Sequence, residues 1–215
     1  MAANTASTVA VVCANGKAGS LITRELVERG FDVTAIVRGE NKSAAPQAIQ
    51  RDVFDLTRED LAGFDVVVDA FGAWTPDTIP GITRAASHLA DLLSGTDARL
   101  VVVGGAGSLF VDANRTTTLD ATPDFPEDWK PLSAAHGKSL AYLQNASDLR
   151  WTYVSPAADF QADGARTGSY QLGGDDMLLN AAGASTVSYA DYAIAVADLI
   201  ESGEHVGERV SVVSK

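Results

Sequence analysis

The sequence has a single cysteine and few basic residues. One cysteine in 215 residues excludes a disulfide framework and any thiolate-rich zinc or iron–sulfur site built within one chain. The 16 Lys and Arg residues stand against 28 Asp and Glu, which gives a formal net charge of -12. Because a phosphate-binding surface needs clustered Lys and Arg, this balance argues against nucleic acid or an anionic membrane as a partner.

Long apolar runs and internal repeats are also missing. No stretch approaches the ~18 apolar residues of a membrane span, and residues 1–8 are small and polar, without the basic segment of a signal peptide. We therefore expect a cytoplasmic protein with no membrane anchor. No repeat or linker divides the chain, so we expect residues 1–215 to form one domain.

Short Val-rich runs alternate with segments of helical periodicity. At 46% hydrophobic and 20% charged residues, the composition is typical of a globular protein. Near-continuous apolar strands are typical of a parallel sheet covered on both faces, so the pattern predicts an α/β fold with a Rossmann-type doubly wound parallel sheet. The predicted strands are 9–13, 31–37, 48–53, 66–68, 100–103, 151–155 and 209–213, and the predicted helices are 17–29, 57–61, 79–93, 133–146 and 189–200.

Two long segments interrupt this alternation, residues 104–131 and residues 157–188. Loops of this length in a compact domain usually have a function. We therefore expect these two segments to build the substrate region.

A glycine-containing loop joins the first predicted strand to the first predicted helix; it reads Cys13-Ala14-Asn15-Gly16-Lys17-Ala18-Gly19. A pyrophosphate needs backbone amides directed at it with no Cβ in the way, and a helix N-terminus supplies such donors together with a partial positive charge. Gly16 permits a close approach, and Gly19 lets the helix pack tightly on the sheet. The loop therefore predicts a pyrophosphate site at Asn15, Gly16, Lys17, Ala18 and Gly19, with an ordinary strand-to-helix turn as the alternative.

In this loop the chain resembles the atypical short-chain dehydrogenases/reductases, which carry a G-A-T-G-x-x-G motif. It is most similar to their NmrA-like and NAD(P)H–flavin reductase branch, the group that includes biliverdin-IXβ/flavin reductase-like proteins. The resemblance covers nearly the whole chain and continues through residues 34–38, 51–55, 68–72, 102–108 and 151–157. It implies a fold that binds a nicotinamide dinucleotide.

Cys13 stands where the family loop has its first glycine. If this position requires a positive φ, a cysteine is strained there by ~1–2 kcal/mol; otherwise the change is harmless. A catalytic thiol is one interpretation of Cys13. A buried and unreactive cysteine at a strand end is the interpretation that we favour.

The end of the second strand predicts which nucleotide is bound. NAD-specific sites have a carboxylate there, whereas a 2′-phosphate prefers an arginine. This strand ends at Arg38, and the first acid after it is Glu40. Arg38 offers a planar fork of donors that matches phosphate, and Lys17 adds a second cation, so we expect NADP(H) in preference to NAD(H). A solvated surface arginine is the alternative.

The resemblance also implies contacts for the rest of a dinucleotide. Asp52 and Val53 match the residues that meet the adenine in the family, although an Asp that simply ends a strand in a turn is the alternative. Ala70, Phe71 and Gly72 match the segment under the nicotinamide-side ribose. Pro156 and the residue after it match the place where the backbone meets the carboxamide.

Typical members of the superfamily use a Tyr-x-x-x-Lys pair on the helix before the sixth strand. Four residues before Lys138 this chain has Ala134, so we do not expect alcohol–ketone interconversion by that route. The remaining candidate catalytic residues are Ser108, to bind a substrate or cofactor oxygen, and His136, to protonate a reduced product with a near-neutral pKa. A plain turn residue and a surface-helix histidine are the alternatives. We expect Lys138 to face solvent or a ribose.

These features predict an NADP(H)-dependent oxidoreductase that passes a hydride to a flavin, a quinone or a similar planar acceptor, with no metal. Two alternatives stay open: an NmrA-like redox sensor that binds the dinucleotide without turnover, and an epimerase or isomerase of a small metabolite. We expect a monomer or homodimer whose partner is the small planar acceptor. The candidate walls of the acceptor pocket, which in such loops often pack the loop itself, are Trp74, Phe110, Phe125, Trp129 and Phe160.

Overall fold

The computed structural model of the chain describes residues 8–215. The expectation about a signal peptide concerns residues 1–8, of which 1–7 lie outside the described residues. The described strands are β1 (Thr8–Val12), β2 (Asp32–Val37), β3 (Gln47–Gln50), β4 (Val66–Asp69), β5 (Arg99–Val103), β6 (Arg150–Ser155), β7 (Asp159–Gln161), β8 (Tyr170–Gly173), β9 (Thr186–Ser188) and β10 (Glu208–Ser214). The described α-helices are α1 (Lys17–Glu28), α2 (Arg58–Leu61), α3 (Pro80–Leu93), α4 (Lys130–Asn145) and α5 (Tyr189–Ser202).

The main sheet has the strand order β3-β2-β1-β4-β5-β6-β10-β8. All neighbours in it are parallel except the edge strand β8, which runs antiparallel to β10. β7 and β9 form a separate parallel pair. This order confirms the Rossmann-type doubly wound sheet, and it reverses between β1 and β4. In open α/β sheets a ligand binds at the carboxyl ends of the strands beside such a reversal.

Apolar strands bury both faces of the sheet. In β1, Val9 and Val11 belong to one core cluster, whereas Ala10 and Val12 belong to the other, as the alternation of side chains along a strand requires. Helices α1 and α5 cover the first face, and α3 and α4 cover the second. None of the helices in residues 8–215 combines the length and apolarity that a membrane crossing needs.

The boundaries of α2, β3 and α4 show which predictions from the sequence hold. The short helix α2 begins after Thr57, whose side chain caps it together with Asp60, as the residue types predict. β3 ends at Gln50 and not at 53, because Asp52 caps a 3₁₀ helix over Val53–Asp55. α4 begins at Lys130, three residues earlier than predicted, because Pro131 is tolerated in the first turn of a helix.

The two segments expected to build the substrate region are more ordered than loops. Residues 104–131 contain 3₁₀ helices at Leu119–Ala121 and Glu127–Trp129. Residues 157–188 contain β7, β8 and β9. Periodicity does not resolve these pieces because each is only three or four residues long and mixed in polarity.

Candidate functional site

The loop after β1 leads directly into α1, and close packing fixes its shape. Gly16 precedes the helix in an extended conformation, and no side chain caps its first turn. A Cβ on Gly19 would lie 2.5 Å from the carbonyl oxygen of Cys13, which is too close for any side chain. A Cβ on Gly16 would lie 3.1 Å from the same oxygen. This turn therefore requires glycine at position 19 and is tight at Gly16. The first amides of α1 have no side-chain acceptor.

Cys13 occupies a strained position in the same turn. Its φ is +58°, in the left-handed region that favours glycine, so the condition for strain set out from the sequence is met. The amide of Cys13 donates to the oxygen of Ile36 at 2.9 Å, and its carbonyl accepts from the amide of Gly16 at 2.8 Å. Burial, with Asp69 second, raises the pKa of the thiol to about 12. The thiol is therefore protonated at neutral pH, as expected of an unreactive cysteine.

A cavity of about 790 Å³ opens at the carboxyl ends of the strands, beside the loop. Its lining includes Val12 and most of the loop, whereas the predicted site residue Gly19 is buried and does not line it. On one side is the β1–β3 half, lined by Ile36, Val37, Arg38, Gly39, Arg51, Asp52 and Val53. On the other is the β4–β5 half, lined by Ala70, Phe71, Gly72, Ala73, Trp74, Thr75, Thr78, Val103, Gly104, His136, Phe160 and Tyr189.

Cationic side chains concentrate at the β1–β3 half and the loop. Arg38 and Lys17 are exposed, and their side chains have no hydrogen-bond or salt-bridge partner among residues 8–215. Arg51 is already paired with Asp60, at 2.6 Å. The unpaired guanidinium of Arg38 and the unpaired ammonium of Lys17 are therefore both available to bind an anion here.

Asp52 and Val53 lie together at the same half. One carboxylate oxygen of Asp52 accepts from the amide of Phe54 at 3.0 Å and so caps the 3₁₀ helix. Val53 is buried and presents an apolar side chain to the cavity. The pair offers a carboxylate oxygen beside an apolar wall, which is a suitable arrangement for a purine ring with an exocyclic amine.

The side chain of Asn15 is hydrogen-bonded within the protein. Its Nδ2 donates to the carbonyl oxygen of Glu40 at 2.8 Å, and its Oδ1 accepts from the amide of Lys42 at 2.7 Å. The side chain therefore ties the loop after β1 to the segment that follows Arg38. Asn15 lines the cavity, but its amide group is used within the protein.

The β4–β5 half is aromatic. The rings of Phe160 and Tyr189 lie with centroids 3.9 Å apart, and Phe160 also contacts Tyr192 at 4.8 Å. Trp74 is 71% exposed at the rim. Two of the five aromatic residues proposed as walls, Trp74 and Phe160, thus line the cavity, whereas Phe110, Phe125 and Trp129 do not.

His136 projects from α4 against the end of β5. A Cβ on Gly105 would lie 2.9 Å from the ring carbon Cγ of His136, so glycine allows the imidazole to pack there. The Tyr153 hydroxyl accepts from the amide of Gly105 at 3.1 Å and donates to the backbone oxygen of His136 at 3.1 Å. Burial lowers the pKa of His136 to about 4, which corrects the near-neutral value on which its predicted role as a proton donor depended. The imidazole in the cavity is therefore neutral at pH 7.

Several predicted residues lie outside the cavity lining. The hydroxyl and the carbonyl oxygen of Ser108 both accept from Nη1 of Arg209, at 2.9 and 3.0 Å, so Ser108 fixes a buried arginine and its position gives no support to a catalytic role. Pro156 is buried just after β6 and does not reach the cavity. Ala134 and Lys138 are exposed on α4 and are likewise absent from the lining.

Other residues of the cavity were not predicted. Arg51, Thr75, Thr78 and Tyr189 line it although they belong to three separate segments of the chain. The first three follow the ends of β3 and β4, so the rule that ligands bind beyond strand ends would have indicated them. Tyr189 begins α5 after the short β9, and no motif marks it. No cluster of His, Cys, Asp and Glu within residues 8–215 has the geometry to hold a metal ion.

Comparison with known proteins identifies the family. A family model described as NAD(P)H-binding matches residues 13–202, so this chain belongs to that family. It is 46% identical over 209 residues to the uncharacterized protein YwnB of Bacillus subtilis, covering 96% of this chain and 98% of YwnB. The family membership confirms the resemblance to atypical short-chain dehydrogenases/reductases and, with it, a nicotinamide-dinucleotide fold.

Solved structures give the same result. A Streptococcus pneumoniae protein, provisionally named an NADH-flavin reductase, shares 51% identity and a TM-score of 0.94, over 97% of this chain and 100% of its own. A Bacteroides thetaiotaomicron protein, provisionally named an epimerase, shares 33% identity and a TM-score of 0.85, over 97% of each chain.

The residues of the cavity fit an NAD(P)H molecule. No side chain caps the first turn of α1, and Gly16, Lys17 and Ala18 at its start line the cavity, so the helix N-terminus can hold a pyrophosphate there. The cavity extends from there in both directions, as a dinucleotide with two nucleoside halves requires. Its volume lies within the usual range for small-molecule sites.

Proposed function

We propose that this protein is an NADP(H)-dependent reductase whose hydride acceptor is a planar ring such as a flavin or a quinone. The observation that carries the proposal is a single continuous cavity with two unlike halves. One half holds an unpaired arginine at the end of β2, and the other is aromatic and lacks the Tyr-x-x-x-Lys pair. Binding and alignment are the main demands that hydride transfer makes on the protein.

The preference for the phosphorylated nucleotide rests on Arg38. Its guanidinium would pair with a 2′-phosphate, and Lys17 would add a second positive charge. Asp52 and Val53 would hold the adenine, and the amides at Gly16 to Gly19 would hold the pyrophosphate. In this arrangement Ala70, Phe71 and Gly72 lie under the second ribose, and the nicotinamide ring reaches the β4–β5 half.

When bound, NADPH would supply the hydride, which carries both electrons, and solvent would supply the one proton that completes the reduced acceptor. The protein's part is to align the acceptor and to limit the access of water. Phe160 and Tyr189 give an apolar ring surface, and the neutral imidazole of His136 can donate or accept a hydrogen bond at the acceptor. The S. pneumoniae relative supports this reading through its provisional name.

The direct experiment mixes the purified protein with NADPH and a flavin or quinone and follows absorbance at the nicotinamide band. We expect oxidation faster than in the absence of protein, and a weaker response to NADH. Tight NADPH binding with no turnover for any acceptor would instead support a redox sensor. The B. thetaiotaomicron relative's name raises epimerase chemistry, but Ala134 in place of the family tyrosine weighs against it.

A matched pair of α4 variants tests the part of His136. The change His136→Ala removes the imidazole that lines the cavity. It should lower kcat about fivefold, as expected for a lost hydrogen bond, and leave the affinity for NADPH unchanged. The control Lys138→Ala alters an exposed residue on the same helix and should leave both unchanged. Unchanged turnover in His136→Ala would remove this residue from the chemistry.

A further inference from the structure

Charge is distributed unevenly along the cavity. Every Lys, Arg, Asp and Glu in its lining lies in the β1–β3 half or the loop after β1: Lys17, Arg38, Arg51 and Asp52. The β4–β5 half is lined by none of these residue types. The histidine in this half, His136, is uncharged at pH 7 because burial lowers its pKa to about 4.

We infer that the acceptor is an uncharged planar ring compound, a quinone or a flavin without phosphate, and that phosphorylated flavins are discriminated against. This inference rests on the proposed function and narrows its substrate class. A phosphate buried or half-buried in a protein needs cations or several backbone donors to replace its hydration. The β4–β5 half offers hydroxyl groups and aromatic faces but no cation to do so.

The surroundings of this half strengthen the argument. Where charged residues stand next in sequence to rim residues, they are acidic. Asp77 precedes Thr78, Asp159 precedes Phe160, and both aspartates are exposed. The chain as a whole carries a formal charge of -12, so its long-range field also repels anions.

Hydroxyl and ring groups of this half suit an uncharged acceptor. The Thr75 and Thr78 hydroxyls are hydrogen-bonded to each other at 2.7 Å, and the Thr78 hydroxyl donates to the Thr75 carbonyl oxygen. Thr75 Oγ1 therefore keeps a lone pair that can accept a hydrogen bond from a bound ring. Phe160 and Tyr189 present aromatic surface against which a planar ring can stack. The cations that serve the dinucleotide lie at the opposite half, so a bound nucleotide, itself an anion, would further disfavour a second phosphate.

Riboflavin and FMN form the matched pair of probes because they share the reacting ring and differ by the phosphate. We expect riboflavin to bind to the NADP⁺-loaded protein about tenfold more tightly than FMN, measured by quenching of flavin fluorescence, and to show a correspondingly higher kcat/KM with NADPH. Raising the ionic strength should narrow the difference, since salt screens repulsion at a half-exposed site. Equal or tighter binding of FMN would overturn the inference.

A charge introduced at the rim tests the mechanism of discrimination. Thr75→Lys places an ammonium in the β4–β5 half, and Thr75→Gln is its control because it also loses the hydroxyl but adds no charge. Relative to Thr75→Gln, Thr75→Lys should bind FMN about fivefold more tightly and riboflavin within twofold as tightly. Gln144→Lys adds the same charge about 12 Å along α4 from His136 and controls for net charge. If Gln144→Lys raises the affinity for FMN as much as Thr75→Lys does, the discrimination between the flavins is not local and the inference fails.

Binding and turnover separate this inference from the proposed function. If riboflavin binds more tightly than FMN but neither riboflavin nor a quinone is reduced, the reductase is refuted and the selectivity of the site is retained. FMN that is bound and reduced as well as riboflavin would retain the reductase and refute the inference.

Discussion

The carbonyl oxygen of Cys13 is the atom that any side chain on Gly19 would strike, at 2.5 Å from its Cβ. The first turn of α1 therefore packs directly against the end of β1, at the point where Cys13 has a φ of +58°. The turn therefore needs glycine at position 19 and a residue with a positive φ at position 13. Cysteine meets the second demand only with strain.

The strain at Cys13 can be measured with two variants. Cys13→Ala and Cys13→Gly both remove the sulfur, but only glycine adopts a positive φ without penalty. We expect Cys13→Gly to exceed Cys13→Ala in free energy of unfolding by about 1 kcal/mol, measured by denaturant titration without nucleotide. An alanine variant as stable as the glycine variant would show that the left-handed backbone is not strained.

Arg38 decides between the two nucleotides in the proposed function. Replacing Arg38 with alanine should lower the affinity for NADPH tenfold or more, which is about the contribution of a charge-assisted hydrogen bond to phosphate. The affinity for NADH should change little. Fluorescence titration of both nucleotides checks this. Arg38→Lys should fall between the two because an ammonium keeps the charge but not the fork. An equal loss for NADPH and NADH would refute the assignment to a 2′-phosphate.

Asn15 is expected to act on the nucleotide through Arg38. Its hydrogen bonds to Glu40 and Lys42 hold the segment after Arg38 against the loop. Asn15→Ala should therefore weaken NADPH several-fold and lower the free energy of unfolding by about 1–2 kcal/mol. In the Arg38→Ala background the same change should have no further effect on NADPH. A full additional loss there would show direct contact between Asn15 and the nucleotide.

The extent to which sequence predicts this protein differs between fold and site. Runs such as Val66–Asp69 are buried on both faces, so their residue types alone predict strands of a parallel sheet. The loop after β1 is recognisable because it combines Gly16 with Gly19, and the backbone leaves no space for a Cβ at position 19. Both features depend on residues close together in the sequence.

Long-range contacts explain where the sequence misleads. Ser108 reads as a free hydroxyl after β5, yet its partner Arg209 lies 101 residues further along the chain. His136 reads as a surface residue, yet burial lowers its pKa to about 4. Tyr189 reaches the cavity only through the pairing of β7 with β9, which brings Phe160 and the start of α5 together. Patterns of residues close together in the sequence do not indicate such long-range contacts.

The buried carboxyl of Asp69 predicts how stability depends on pH. Asp69 ends β4, is 3% exposed, and accepts a hydrogen bond from the amide of Phe71 at 3.0 Å. Burial raises its pKa to about 7, above the ordinary value near 4 that it recovers on unfolding. The folded protein therefore binds more protons than the unfolded chain between about pH 4 and pH 7, and the contribution of Asp69 to the free energy of unfolding falls across that window.

The variant Asp69→Asn isolates this contribution because it keeps the shape and an acceptor for the Phe71 amide but cannot ionise. It should match the wild type near pH 4 and exceed it at pH 8 by at least about 1 kcal/mol in free energy of unfolding. His136 has the opposite dependence, because burial lowers its pKa and its contribution is lost as the pH falls from about 6.5 to 4. Subtracting the variant from the wild type at each pH cancels that histidine. A difference that stays constant from pH 4 to pH 8 would mean that Asp69 titrates alike in the folded and unfolded protein.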